Sequence, residues 1–154
     1  GSTGRSRARS GPAAHAGVPT GVNPAYPVVS ERAEHRCEYC RAPELVFNFP
    51  FEVEHIVPVC RGGANTDANL ALACRSCNLR KGVQLTGADP SSGAEVRLFD
   101  PRQDRWTDHL RADLETGALI GLTAIGRATV AALRMNEDPQ RTARRWWRRL
   151  GLFP

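Results

Sequence analysis

The sequence predicts a small α+β domain closed by a metal, with a mainly helical extension on its C-terminal side. Three observations lead there. Two Cys-x-x-Cys pairs, Cys37-Glu-Tyr-Cys40 and Cys74-Arg-Ser-Cys77, frame a stretch of 33 residues. Inside that frame lie two short segments of strand character, FEVEHIVP at 51–58 and LALA at 70–73, separated by a Gly/Asn/Asp loop. Beyond residue 90 the order comes mainly from helix caps, at Thr107, Thr123 and Asp138-Pro139.

The elements follow in chain order. Ser30 is read as the N-cap of a helix through Arg36, with Glu31 and Glu34 near its positive end. After the first cysteine pair and a break at Pro43, apolar stretches at 45–49 and 51–57 suit strands, with Phe51, Val53 and Val57 sharing one face. The loop RGGANTD at 61–67 leads to LALA, a short buried strand, and Arg75–Lys81 reads as a helix stopped by Gly82. Val96–Phe99 is a further strand before the turn Asp100-Pro101. Thr107 caps a helix that Gly117 ends, and Thr123 caps another carrying Ile125, Ala128, Ala132 and Leu133 at helical spacing. Asp138-Pro139 starts the last helix as cap and first residue.

Length and composition bound the function. At 154 residues with 41% hydrophobic content the chain supports one domain with a core. No apolar run approaches the ~20 residues that span a bilayer, and nothing marks secretion, so a cytoplasmic protein without membrane partners is expected. Residues 1–27 read as a disordered basic tail whose Gly1-Ser2 start resembles a tag scar. The net charge of +5 is uneven: +3 over residues 1–36, −3 over 37–138 and +5 over the last sixteen. The body therefore gains no general claim on nucleic acid from charge alone. Twenty of the twenty-one basic residues are Arg, a bias that a GC-rich coding genome also produces.

Two Cys-x-x-Cys knuckles supply four thiolates, a complete tetrahedral shell for structural Zn²⁺. Disulfides would require an oxidising compartment that nothing here indicates. The metal then joins Cys37 and Cys40 to Cys74 and Cys77 and closes the intervening segment into a loop. Cys60 has no evident partner and is read as a small buried residue.

Within and beside that loop stand Glu54-His55, Asn69 and Asn78. The string CEYC, FEVEHIVP and RGGANTDANLALACRSCNLRKG resembles the zinc-supported branch of the HNH endonucleases, over residues 28–82. The segments LFDPRQDRW and GLTAIGRATVAALRMN look like an extension attached to one group of these proteins. The resemblance implies a ββα-metal nuclease core over 28–90, braced by zinc, with an extension over 91–154 packed on it. It makes His55 the general base and Asn69 the residue that orients it, while Glu54 and Asn78 hold the catalytic metal. Glu54 stands where the family most often has Asp, and Asn78 where it usually has His. Two oxygen donors suit Mg²⁺ or Mn²⁺. The implied reaction is hydrolysis of DNA phosphodiester bonds to 5′-phosphate and 3′-hydroxyl ends, on double-stranded DNA and with a homodimer as an option.

The chemistry agrees with these roles. Phosphodiester hydrolysis needs a base active near neutral pH and a cation against the charge that builds on phosphate. One difficulty is geometric: neighbours on a regular strand point to opposite faces, so Glu54 and His55 share a site only where the strand ends, near Pro58. Arg75, Arg80 and Lys81 flank Asn78 and are read as phosphate contacts. Arg141, Arg145 and Arg148 form a stripe on the last helix, also read as nucleic-acid contacts, beside Trp146. His109 reads as a structural histidine. The competing readings are a zinc-knuckle protein that binds nucleic acid without cutting it, and a redox or metal sensor built on the cysteines.

Overall fold

A computed structural model describes residues 22–154; for residues 1–21 the expected tail lies outside the described residues. The first helix, α1 (Tyr26–Arg32), begins four residues before the expected cap, because Pro27 sits in its first turn and sets φ for helix. Ser30 is therefore inside the helix, buried, its hydroxyl donating to the Pro27 carbonyl at 3.2 Å. The strand expected over 45–49 is instead a 3-10 turn, Glu44–Val46. Buried Glu44 organises it by accepting from the Tyr26 hydroxyl (2.8 Å) and the Phe51 amide (2.6 Å), which leaves Leu45 80% exposed.

The centre of the fold is a two-stranded antiparallel ribbon and the helix after it. β1 (Glu52–His55) pairs with β2 (Leu70–Ala73), Glu54 opposite Ala71 and His55 opposite Leu70. β2 is buried at all four positions, as LALA requires of a strand covered on both faces. α2 (Arg75–Lys81) has the bounds read from sequence, with Cys74 as its cap and Gly82 at its end. The facing of β1 differs from expectation. Glu54 and Ile56 point inward and are buried, whereas Val53 and Val57 are only half-buried. A carboxylate faces the interior because a cation and a phenol meet it there.

The extension is less helical than expected. β3 (Thr86–Ala88) and β4 (Glu95–Arg97) form a hairpin, and Leu98 and Phe99 continue beyond β4 into the core. The helix expected from Thr107 to Gly117 is one turn, α3 (Trp106–His109), followed by the hairpin β5 (Leu110–Ala112) and β6 (Leu119–Gly121). The Asp113 carboxylate accepts from the amides of Glu115 and Thr116, which bends the chain after Ala112. Gly117 completes the turn at φ +74°, where a side chain would also strike the Arg141 carbonyl. α4 (Ala124–Ala132) is capped by Thr123 as expected. α5 (Asp138–Arg149) starts after Glu137, one residue earlier than read. Apolar residues from Val29 to Phe153 form one buried cluster across ribbon, α2 and extension.

Candidate metal centre and hydrolytic site

The four knuckle cysteines converge. Their sulfurs all lie within 4.8 Å of one another, and every one of them is buried. The Cys40 and Cys74 sulfurs are 3.7 Å apart, against ~3.8 Å across a tetrahedron with Zn–S bonds of ~2.3 Å. In each knuckle the amide of the second cysteine donates to the sulfur of the first, at 3.5 Å in both. These bonds favour thiolate over thiol. The hydrogen bonds from Cys37, Cys74 and Cys77 lower the pKa of Cys40, whereas those from Cys37 and Cys40 raise Cys74 and Cys77. A divalent ion supplies the charge that lets all four ionise, so the donor set fits structural zinc. Cys60, in contrast to expectation, is exposed on the 3-10 turn Val59–Arg61, outside the cluster.

The second constellation lies around the end of β1. Glu54, His55 and Asn78 line a cavity of about 330 Å³ together with Val53, Pro58, Val59 and Gly82. The strand stops at His55 and the chain turns at Pro58, which brings adjacent Glu54 and His55 to one opening. A larger hollow of about 500 Å³ beside Trp106 holds none of these residues.

Each side chain is held differently. The Nε2 of His55 lies 3.0 Å from Asn65 Oδ1. An amide oxygen only accepts, so Nε2 is the donor in that contact and Nδ1 is the ring nitrogen left for another partner. Asn65, in the Gly-Gly loop, was not singled out in the sequence. Asn69 grips the backbone: its Oδ1 accepts from the Val57 amide (2.9 Å), and its Nδ2 donates to the carbonyls of Val57 (2.9 Å) and Ala64 (2.8 Å). Gly63 permits this closure, because a Cβ there would stand 1.7 Å from the Val57 oxygen. Asn78 directly follows Cys77 of the cysteine cluster, and its amide nitrogen donates to Glu52. Glu54 is 5% exposed, with Tyr39 donating to one carboxylate oxygen and Lys81 at 3.2 Å from the other. Burial raises its pKa, opposed chiefly by the Lys81 charge.

The basic residues read as phosphate contacts divide. Lys81 is 2% exposed and faces Glu54, so it does not reach solvent. Arg80 is engaged by the carbonyls of Leu133 and Arg134 and by Glu137 at 2.5 Å, tying α2 to the extension. Both are thus structural ties, because their helix face packs inward. Arg75 has a largely exposed side chain beside Glu52. On α5, Arg141 and Arg148 donate to the carbonyls of Thr116 and Leu114, whereas Arg145 is exposed with only Thr142 on it. His109 sits between Thr123 (2.7 Å) and Asp104 (3.6 Å), edge-on to Phe99, in a structural setting.

Residues 37–84 match the family model described as HNH endonuclease. No curated protein and no solved structure matches the chain. The matched segment contains both knuckles, β1, β2 and α2. The family is one of metal-using nucleases that act on nucleic acid. Among the described residues no helix is long and apolar enough to cross a membrane.

Proposed function

We propose, with that match as premise, that the protein is a metal-dependent DNA endonuclease in which His55 acts as general base. The observation that carries the reading is the cavity in which His55 has one nitrogen engaged and one available, beside Glu54 and Asn78. A carboxylate and an amide oxygen are hard donors, and they fit Mg²⁺ or Mn²⁺. That ion would be held by Glu54 and Asn78, and it supplies positive charge for the phosphate and the departing oxygen.

The chain's own residues do the rest. His55 takes a proton from water at Nδ1, and Asn65 holds the imidazole through Nε2. Asn69 acts on the base through the backbone, fixing Val57 two residues on and Ala64 next to Asn65. Arg75 and Arg145 remain as exposed phosphate contacts, and double-stranded DNA is the substrate proposed.

The test is nicking of supercoiled plasmid with Mg²⁺ or Mn²⁺, beside EDTA and His55→Ala. Loss of a general base costs ~10²–10⁴-fold in rate, so His55→Ala is expected to leave at most about one per cent of the nicking. Equal cutting by wild type and variant would refute the role of His55. A second reading, a zinc-knuckle protein that binds nucleic acid without cutting, is favoured by the engagement of both Glu54 oxygens. It predicts retained DNA binding with no nicking in either metal.

A further inference from the structure

Lys81 is the only lysine among twenty-one basic residues, and it is also among the most deeply buried side chains. Its position explains why an arginine does not stand there. Nζ lies 3.2 Å from Glu54 Oε2, 2.8 Å from the Ile56 carbonyl and 3.5 Å from the His55 carbonyl. One compact ammonium therefore touches three consecutive residues, 54, 55 and 56. A planar guanidinium spreads its donors over a fork and cannot gather them at one point.

The other Glu54 oxygen accepts from the Tyr39 hydroxyl. Tyr39 stands between zinc-knuckle residues Cys37 and Cys40 and is fully buried, its ring edge-on to Phe99 at 6.4 Å. Its carbonyl accepts from the Trp106 indole at 2.8 Å, and neighbouring Glu38 is gripped by Arg102 while accepting from the Leu72 amide at 2.8 Å. The phenol has little freedom to move. Lys81 comes from the same helix as Cys77 and Asn78. Both partners of Glu54 are thus placed by elements that carry the four cysteines.

We propose that Tyr39 and Lys81 are positioning residues for Glu54, and that Tyr39 makes the first zinc knuckle a working part of the hydrolytic site. The two hold the carboxylate from opposite sides so that it faces the cavity it shares with His55 and Asn78. Lys81 also fixes the two peptides that follow His55, through the His55 and Ile56 carbonyls. This rests on the reading of Glu54 as an acid of that site. A buried acid–lysine pair that merely fills the core makes a different prediction, because its partners then affect stability alone.

The experiment compares wild type, Tyr39→Phe and Lys81→Arg as full-length, zinc-loaded protein. Tyr39→Phe removes one oxygen and keeps the ring, so it preserves the core. Mn²⁺ affinity is read by calorimetry without substrate, zinc content by elemental analysis, and plasmid nicking as separate kcat and KM. Tyr39→Phe is expected to keep one zinc per chain and the KM for DNA, while Mn²⁺ affinity and kcat each fall ~10–100-fold, the usual effect of losing a partner behind a metal ligand. Lys81→Arg is expected to move the same way, without rescue by the retained charge. Wild-type Mn²⁺ affinity and kcat in Tyr39→Phe would overturn the inference. A wild-type chain that binds no Mn²⁺ beyond its zinc sinks the nuclease reading and this inference together. Binding and nicking by wild type beside an unaffected Tyr39→Phe sinks this inference alone.

Discussion

Asn69 makes three hydrogen bonds with its side-chain amide, and their directions allow a prediction that separates chemistry from shape. Oδ1 accepts from the Val57 amide, and Nδ2 donates to the Val57 and Ala64 carbonyls at 2.9 and 2.8 Å. Asn69→Ala loses all three, a cost of about 3 kcal/mol at about 1 kcal/mol each. Asn69→Asp keeps the volume and the Oδ1 bond but turns the other two donors into an anionic acceptor. Two carbonyl oxygens then meet a carboxylate oxygen at contact distance, which adds repulsion to about 2 kcal/mol of lost bonding. The near-isosteric aspartate is therefore expected to be at least as damaging as alanine at pH 7. Its deficit should shrink as the pH approaches 4, where a protonated carboxyl donates once. Zinc-saturated protein unfolded in urea, with the midpoint and slope read at both pH values, measures this. Nicking should fall in both variants, because the 57–64 loop carries Pro58 and Val59 of the cavity wall and leads to Asn65. An aspartate variant as stable as wild type at pH 7 would refute the argument, as would an alanine variant losing less than about 1 kcal/mol.

Two further predictions follow from the metal centre and the acid pairs. In zinc-loaded protein one thiol, Cys60, is expected to react at once with a thiol reagent, while the four buried sulfurs wait on chelation of the metal; immediate reaction of all five would exclude a closed zinc site. The Arg97 guanidinium, bonded to Asp104 at 2.6 and 2.8 Å, holds that carboxyl below its ordinary range. A depressed folded pKa contributes stability above the unfolded value, ~3.9, and loses it as pH falls through the lower folded value. Compared with Asp104→Asn, wild type should therefore lose its excess melting temperature only below about pH 4; an excess that is constant down to pH 2 would contradict the pairing.

The parts legible in the sequence were those whose cause is local. Cys-x-x-Cys spacing announces the cluster, LALA announces a strand covered on both faces, and Thr123 and Gly82 mark ends of helices within one turn. What was not legible depends on partners far along the chain. Nothing local marks Glu54 as buried: the two groups that meet it inside, Tyr39 and Lys81, stand fifteen positions before it and twenty-seven after it. Leu45 and its neighbours have strand composition, yet Glu44 binds Tyr26 and Phe51 and forces a turn. The segment 107–117 carries a helix cap and helical spacing, but Asp113 competes for its own following amides and converts the second half to a hairpin. The basic stretch around Asn78 read as a phosphate grip because charge is visible in a sequence and burial is not. Asn65 gave no signal beyond lying in a Gly-Gly loop.

The extension enters the site through the knuckles. Arg144, on α5, is 2% exposed and donates to the carbonyls of Gly117 and Met135 at 2.8 and 2.7 Å. Burial lowers its pKa, while the thiolates of Cys40, Cys77, Cys74 and Cys37 act to raise it. Arg144 is thus a buried positive charge facing the cysteine cluster, whose four thiolates around a Zn²⁺ would carry two net negative charges. Arg102 meets Glu38 and Trp106 meets the Tyr39 carbonyl at the first knuckle, while Gln140 reaches Ser76 (3.2 Å) and Glu137 reaches Arg80 at the second. The change near residue 90 is thus a change of local structure within one buried cluster, with no seam in the packing. Removing the extension would take away Arg144 and the partners of Glu38, Tyr39, Ser76 and Arg80. β1, the turn after it and the segment through α2 to Gly82 supply the residues that line the cavity, and the extension is bonded to both cysteine pairs.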